Sequence, residues 1–161
     1  MNTESVLNIL ERSTTRMFTE SGESIKAVSP NISEHPDSLI CVISFNGDAS
    51  GQVIVYWNES DALKFASDKN KFFCGIDEPF TSINGDVVEI IAEFTNEIAG
   101  AFLTSLSEED VTIKIVTPII YYGGQVAYPS YNSKLQLVKY NLGEFQMYLG
   151  LYLESDTGLK H

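Results

Sequence analysis

Residues 86–104 read DVVEIIAEFTNEIAGAFLT, and this stretch decides the fold of the 161-residue chain. An α-helix turns about 100° per residue, so side chains three and four positions apart share one face. On that spacing the apolar residues form one stripe with a flank, namely Val87, Ile91, Phe94, Ile98 and Phe102 in the stripe and Val88, Ala92, Ala99 and Leu103 beside it. The stretch therefore predicts one amphipathic helix whose stripe packs on the core.

The opposite face of this helix is polar. It carries Asp86, Glu89, Glu93, Asn96, Glu97 and Gly100. Asn competes with the helix for backbone hydrogen bonds, and Gly in a helix costs about 1 kcal/mol relative to Ala. Gly100 also leaves out a side chain beside Glu93 and Asn96, which lets the backbone of another molecule approach closely. From the residues alone, both a solvated face and a docking face remain open, and so does packing of Gly100 against a neighbouring helix.

The segments before this helix predict a hairpin and a short helix. Two apolar runs, 39–45 and 51–57, flank Asn46-Gly47-Asp48, and Asn-Gly favours a hairpin because both residues tolerate positive φ. Residues 60–66 then predict a short helix capped by Asn58 or Ser60.

The segments after the helix predict further strands. The run 111–116 alternates and is rich in β-branched residues, and Pro118 interrupts its continuation. The runs 135–140 and 144–153 flank Asn141-Leu142-Gly143 and predict a closing hairpin.

The N-terminal part predicts a helix over residues 4–18 and a short strand over 25–28. Antiparallel hairpins combined with helices predict an α+β fold, with a mainly antiparallel sheet and long helices packed on it. We expect a single domain over residues 1–161, with a loose tail at 155–161, because no linker divides the chain.

Composition and charge exclude several classes of protein. Hydrophobic residues make up 43% of the chain, which is typical of a folded domain. The net charge of −12 repels nucleic-acid phosphates, and no basic cluster offsets it, so no nucleic-acid partner is expected. No apolar run reaches the roughly 20 residues that span a bilayer, and the N-terminus lacks the pattern of a signal peptide. We therefore expect a cytoplasmic protein with no membrane contact.

The two cysteines, Cys41 and Cys74, both have apolar neighbours in the sequence. In a cytoplasmic protein such residues are predicted to be two buried thiols rather than a disulfide. The only histidines are His35 and His161, so the spacing does not predict a zinc site.

The stretch Glu93-Phe94-Thr95-Asn96-Glu97-Ile98-Ala99-Gly100 resembles the Glu-x-x-Asn-x-x-x-Gly signature of the CheC/CheX/FliY chemotaxis phosphatases, most closely CheX. The hairpin ahead of the helix resembles the same family, and so does the stretch 117–123, which matches its Pro-x-x-x-x-Gly pattern. The resemblance covers residues 39–151. The N-terminal helix carries no second Glu-x-x-Asn, which implies one site per chain, as in CheX.

This resemblance implies hydrolysis of the aspartyl phosphate on a CheY-like response-regulator receiver domain. Asn96 would position the attacking water, and Glu93 would dock to the receiver's active-site lysine. Glu89, Glu97 and Gly100 would complete the partner-binding face. The resemblance also implies a homodimer that binds no metal or cofactor itself, because the receiver's own acidic residues would hold the Mg²⁺.

Three alternatives are left. The first is a non-catalytic CheX-like module that binds a receiver or a flagellar or signalling partner. The second is a structural subunit that associates through tyrosines, which are favoured at interfaces: Tyr121, Tyr122, Tyr128, Tyr131, Tyr140, Tyr148 and Tyr152. A carboxylate metal cluster of Glu89, Glu93 and Glu97 is disfavoured because no histidine lies nearby in the sequence. No esterase or nucleotide-binding motif is present.

Overall fold

The structure is a computed structural model, and it describes residues 2–20, 24–26, 38–122 and 135–154. The elements follow the predicted order of helix, strands, helix, long helix and strands: α1 (Thr3–Glu20), β1 (Ser24–Lys26), β2 (Ser38–Gly47), β3 (Gly51–Asn58), α2 (Glu59–Cys74), α3 (Gly85–Glu108), β4 (Ile113–Ile115), β5 (Ile119–Tyr122), β6 (Gln136–Leu142) and β7 (Phe145–Leu153). The predicted α+β class is confirmed. Residues 27–28 of the predicted first strand and the predicted tail at 155–161 lie outside the described residues.

The strands form one antiparallel sheet in the order β1-β6-β7-β3-β2-β4. Strand β5 also pairs with β2, so that β4 and β5 occupy two ends of the same edge. Phe45 pairs with Ile115 on β4, while Leu39 pairs with Tyr122 on β5. Pro118 lies between the two short strands, and it has no N–H to continue the ladder. The predicted interruption is confirmed.

Both predicted hairpins are present. In the first, Phe45 pairs with Gly51, and in the second, Leu142 pairs with Phe145. The predicted turn at Asn46-Gly47 was wrong, because these two residues extend β2 and pair with Lys114 and Ile113 of β4. Gly143 turns the second hairpin with φ +70°, a backbone conformation that favours glycine. Gly51 is required for a different reason, because a Cβ there would collide with the carbonyl oxygen of Tyr152 on β7. The close approach of β3 and β7 therefore depends on this glycine.

The main core lies between the sheet and the three helices, and it is centred on aromatic side chains. Trp57 on β3 is fully buried, and its ring centroid lies 4.8 Å from that of Phe65 and 6.1 Å from that of Phe94. Phe65 and Phe94 contact each other with centroids 4.5 Å apart. The cluster thus joins β3 to both α2 and α3, and it fixes how the two helices lie on the sheet.

A second, smaller cluster is formed by strand residues that alternate with those of the main core. It contains Ile40, Val42, Ile54 and Tyr56, with Tyr121, Leu135, Tyr148 and Tyr152 packed against it. Tyr140, by contrast, is fully buried in the main core. These tyrosines are engaged in ordinary sheet packing, which weakens the alternative of a tyrosine-built subunit interface. Tyr128 and Tyr131 fall outside the described residues.

Helix α2 is longer than the predicted helix at 60–66. It starts at the predicted cap, since the Asn58 side chain accepts a hydrogen bond from the Ser60 N–H at 2.9 Å. It continues to Cys74 and ends at Gly75, which has φ +69° and donates its N–H to the Lys71 carbonyl at 3.0 Å. The prediction of a short helix was wrong because the buried residues of α2, namely Ala62, Phe65 and Ala66, all lie in its first half, so the apolar pattern weakens after residue 66.

The two cysteines have different environments, and both are free. Cys41 is fully buried on β2, and burial raises the pKa of its thiol to about 11 against a smaller lowering by its hydrogen bond with Thr95. Cys74 is exposed at the end of α2. The prediction of two buried thiols was therefore wrong for Cys74, because its apolar neighbours Phe72 and Phe73 are themselves exposed.

None of the helices in the described part of the chain has both the length and the apolar character needed to cross a membrane.

Candidate functional site

The site is built on α3, which extends the predicted 86–104 by about one turn at its C-terminal end. Its first turn is capped by Asn84, whose side-chain oxygen accepts a hydrogen bond from the Val87 N–H at 3.0 Å. The predicted stripe is confirmed, since all five of its residues are buried: Val87, Ile91, Phe94, Ile98 and Phe102.

The rotation of α3 about its axis is fixed by burial of the stripe, and Thr95 on the same side of the helix is buried as well. Thr95 is fully buried, donates its hydroxyl to the Ile91 carbonyl at 2.7 Å and is hydrogen-bonded to Cys41 on β2. Turning the helix would expose the stripe and Thr95 to solvent. Glu93 and Asn96 flank the buried residues Phe94 and Thr95, and they are consequently held towards solvent.

The polar face is exposed as predicted. Asp86, Glu89, Glu93, Asn96 and Glu97 are exposed, and Gly100 is half-buried. A Cβ added at Gly100 would meet no atom within 4 Å, so this glycine is not required for packing against a neighbouring helix in the described structure.

The side chains of Glu93 and Asn96 make no hydrogen bond or ion pair within the part of the chain that the structure describes. The amides of Asn58 and Asn84, in contrast, are both used as helix caps. The Asn96 amide therefore presents a donor and an acceptor that are uncommitted, on a helix whose position is fixed.

Three like charges follow one another along this face. Glu89, Glu93 and Glu97 are spaced four residues apart, and each such like-charge pair costs an isolated helix about 0.2–0.5 kcal/mol. A row of carboxylates without a lysine at the same spacing is suited to receive a cation from outside. Among residues 2–20, 24–26, 38–122 and 135–154, no three His, Cys, Asp or Glu side chains form a group that could hold a metal ion. The carboxylate-cluster alternative has no geometry to support it.

Beside Glu93 lies a surface cavity of about 370 Å³ between α2 and α3. Its lining residues are Lys69, Asn70, Phe73, Cys74, Ile90, Glu93, Phe94 and Glu97. The Lys69 ammonium lies over the rings of Phe65, Phe73 and Phe94, at 5.4, 5.6 and 6.0 Å from their centroids. Within the described ranges it forms no ion pair with Glu93 or Glu97, so both carboxylates remain available.

The contribution of α2 to this cavity was missed by the sequence analysis. A signal was present, since Phe65, Lys69 and Phe73 are spaced four residues apart and share one helix face. This spacing becomes informative only when the helix is known to continue beyond residue 66. The face that carries the Glu93/Asn96 pair is thus wider than one helix, and it includes the second half of α2.

A long helix laid on one antiparallel sheet, with a carboxylate and an amide turned outward three residues apart, is the arrangement expected of a CheC/CheX-like protein. The family model described as "Chemotaxis phosphatase CheX" matches residues 39–139, and the chain belongs to this family. The matched range contains α2, α3 and the Glu93/Asn96 pair.

Solved structures show the same fold. Chemotaxis protein CheX from Vibrio vulnificus superposes with a TM-score of 0.70 at 16% identity, covering 93% of this chain and 99% of that chain. CheX in a CheX–CheY–BeF3–Mg complex from Borrelia burgdorferi gives 0.68 at 19% identity, covering 96% and 99%. The FliM middle domain from H. pylori gives 0.60 at 8% identity, covering 91% and 86%. At these identities the likeness concerns the fold. No curated protein sequence matches the chain.

Proposed function

We propose that this chain hydrolyses the aspartyl phosphate of a CheY-like response-regulator receiver domain. The observation that carries the proposal is the Glu93/Asn96 pair, which is exposed, uncommitted within the described structure and fixed on α3 in a member of the CheX family. Asn96 positions the attacking water, and Glu93 docks to the receiver's lysine. Glu89, Glu97 and Gly100 form the rest of the docking face.

The main chemical task of this chain is to position the attacking water molecule. An acyl phosphate is already labile, so the main requirement is a water molecule in line with the bond to the leaving carboxylate. The water oxygen bonds to phosphorus, the bond to the aspartyl oxygen breaks, and inorganic phosphate and a free carboxylate result. The Asn96 carbonyl oxygen accepts a hydrogen bond from this water, and its NH₂ group can donate to a phosphoryl oxygen. A neutral amide does this without repelling the phosphoryl group.

Magnesium belongs to the receiver in this proposal. Mg²⁺ held by the receiver's own acidic residues neutralises charge on the phosphoryl oxygens. Glu93 then acts on the receiver's lysine, where a carboxylate one helical turn from the amide fixes the register of the two proteins.

The docking role of Glu93 is tested by Glu93→Lys. Exchanging an attractive pair for a repulsive one should weaken binding to a receiver by about tenfold or more, as for other charged groups at interfaces. Glu108→Lys is the matched control, since Glu108 is exposed on α3 but lies four turns away and changes the net charge equally. Both variants are titrated against a receiver carrying beryllofluoride, a stable mimic of the phosphoryl group. Equal affinity of Glu93→Lys and the parent protein would remove the docking role.

We also propose that the chain forms a homodimer, as the family resemblance implies. The expected result is twice the chain mass of 17.9 kDa in a solution mass measurement at micromolar concentration. A mass of one chain over that whole concentration range would contradict it.

A second candidate function is binding without hydrolysis. The same fold superposes on both CheX and a FliM middle domain, and a fold by itself does not determine activity. Phosphate release from a panel of phosphorylated receivers separates the two candidates. A phosphatase accelerates release from at least one receiver, whereas a binding module leaves every rate unchanged.

A further inference from the structure

The C-terminal end of α2 carries an exposed apolar patch that the proposed chemistry does not use. Phe72, Phe73 and Ile76 are 82%, 71% and 47% exposed, and we call these three residues the α2 patch. The rings of Phe72 and Phe73 pack edge to face with centroids 5.0 Å apart. Single exposed apolar residues are common, but contiguous ones with polar surroundings mark interaction sites.

The α2 patch is held by several local contacts. Gly75 closes α2 in a left-handed conformation, and Lys71 forms an exposed ion pair with Asp77 at 3.4 Å. The Phe80 N–H donates to the Ser67 hydroxyl at 2.9 Å, which ties the following segment back to α2. The patch is therefore presented on a helix end with a defined geometry.

The α2 patch is continuous with the proposed site. Phe73 and Cys74 line the cavity on the α2 side, while Glu93, Glu97 and Ile90 line it on the α3 side. A molecule that reaches the Glu93 carboxylate from this side also contacts Phe73. Lys69 lies over Phe73 and Phe94, which connects the two sides of the cavity.

We propose that the α2 patch is the apolar half of the surface on which the receiver domain docks. It contacts an apolar side chain of the receiver next to the lysine that Glu93 binds. This inference rests on the proposed function and extends the docking surface from one helix to two.

The charges around the α2 patch favour a receiver domain over other partners. Glu93 and Glu97 border it, so the partner must place positive charge next to its apolar contact. A second copy of this chain, with its net charge of −12, would bring two acidic borders together across the patch. An anionic membrane surface is repelled for the same reason. The proposed homodimer therefore uses another surface.

Cys74 provides a native probe of the patch. It is exposed and lines the cavity, whereas Cys41, the only other cysteine, is buried and has a raised pKa. Iodoacetamide at about pH 8 should therefore alkylate Cys74 and leave Cys41 unmodified. We expect a receiver carrying beryllofluoride to slow alkylation of Cys74 about tenfold at saturation, as burial in an interface requires. Receiver without beryllofluoride, at the same concentration, is the control.

The protection experiment is independent of hydrolysis, which is measured in parallel with phosphorylated receiver. Hydrolysis without protection of Cys74 would overturn the inference and leave the proposed function standing. Absence of both binding and hydrolysis would overturn the proposed function, and the inference with it. Protection that rises with the concentration of this protein alone would assign the patch to a second copy. Protection at every concentration of this protein alone would assign it to a segment of the same chain.

A substitution tests the energetic contribution. Phe73→Ser should raise the receiver concentration for half-maximal rate about tenfold and leave the rate at saturation unchanged, because Phe73 contacts the partner and not the reacting atoms. Val116→Ser is the matched control, since Val116 is 50% exposed and lies outside the cavity lining. Circular dichroism and solution mass verify that both variants fold and assemble like the parent. An unchanged half-maximal concentration for Phe73→Ser would overturn the inference.

Discussion

Replacing Asn96 with alanine is expected to reduce the stimulated dephosphorylation of a responsive receiver by roughly 10²-fold, the usual scale for losing one preorganised polar group. The Asn96 amide is uncommitted within the described structure, and its helix is fixed by the buried stripe, so alanine removes the group proposed to hold the water and leaves the helix in place. The measurement is the decay of receiver phosphate with and without the variant, at saturating receiver.

The Asn96→Ala substitution is expected to lower activity without lowering the stability of the fold. Alanine is the better helix former, so Asn96→Ala should melt at or slightly above the temperature of the parent protein. Asn8→Ala is the matched control, since Asn8 is also exposed on a helix but lies on α1. Asn96→Asp should lose as much activity as Asn96→Ala, because a carboxylate of the same size would repel the phosphoryl oxygens. Near-parental activity of Asn96→Ala would show that Asn96 does not position the water.

Replacing Trp57 with alanine should destabilise the fold by about 3–5 kcal/mol, as for other large aromatic residues in cores. Trp57 is fully buried and contacts Phe65, Phe94 and Phe145, so its loss leaves a cavity under both helices of the site. A domain of this size has a typical stability of about 5–15 kcal/mol, so the variant would lose a large part of it. Denaturant unfolding followed by circular dichroism measures the change.

Two further variants make the Trp57 prediction specific. The Trp57 indole N–H is buried with no hydrogen-bond partner among the described residues, so Trp57→Phe removes an unsatisfied donor along with some volume. We expect it to cost clearly less than Trp57→Ala. Phe72→Ala, at an aromatic residue that is 82% exposed, should change stability by no more than about 0.5 kcal/mol. A loss for Trp57→Ala as small as that for Phe72→Ala would contradict the described core.

Much of the fold follows from local patterns. The stripe of α3 is a matter of spacing, and all of its members are buried as the spacing predicts. The Pro118 break has its cause in one residue and was located correctly. The first hairpin was also predicted, but its turn was misplaced, because Asn46 and Gly47 continue β2 and pair with β4. The length of α2 was not predicted correctly. Its second half contains no fully buried residue, and a helix without a buried face has a weaker apolar periodicity.

The site was only half predictable for a related reason. Glu93 and Asn96 could be assigned to the outer face of α3 because the periodicity of a helix determines its faces. The sequence could not predict that Phe73 and Cys74 share a cavity with Glu93. These residues lie on two helices whose relative placement depends on Trp57 and its aromatic neighbours. Apolar neighbours in the sequence likewise misplaced Cys74, because burial is a property of packing and not of the adjacent residues.

The sequence by itself thus determined the order and type of the main elements, the core face of α3 and the outward direction of Glu93 and Asn96. These depend on hydrogen bonds and spacing within a few residues. The tertiary structure alone decided which exposed residues share a surface. That surface combines the carboxylates of α3 with the aromatic end of α2, because packing brings together side chains about 20 positions apart in the chain.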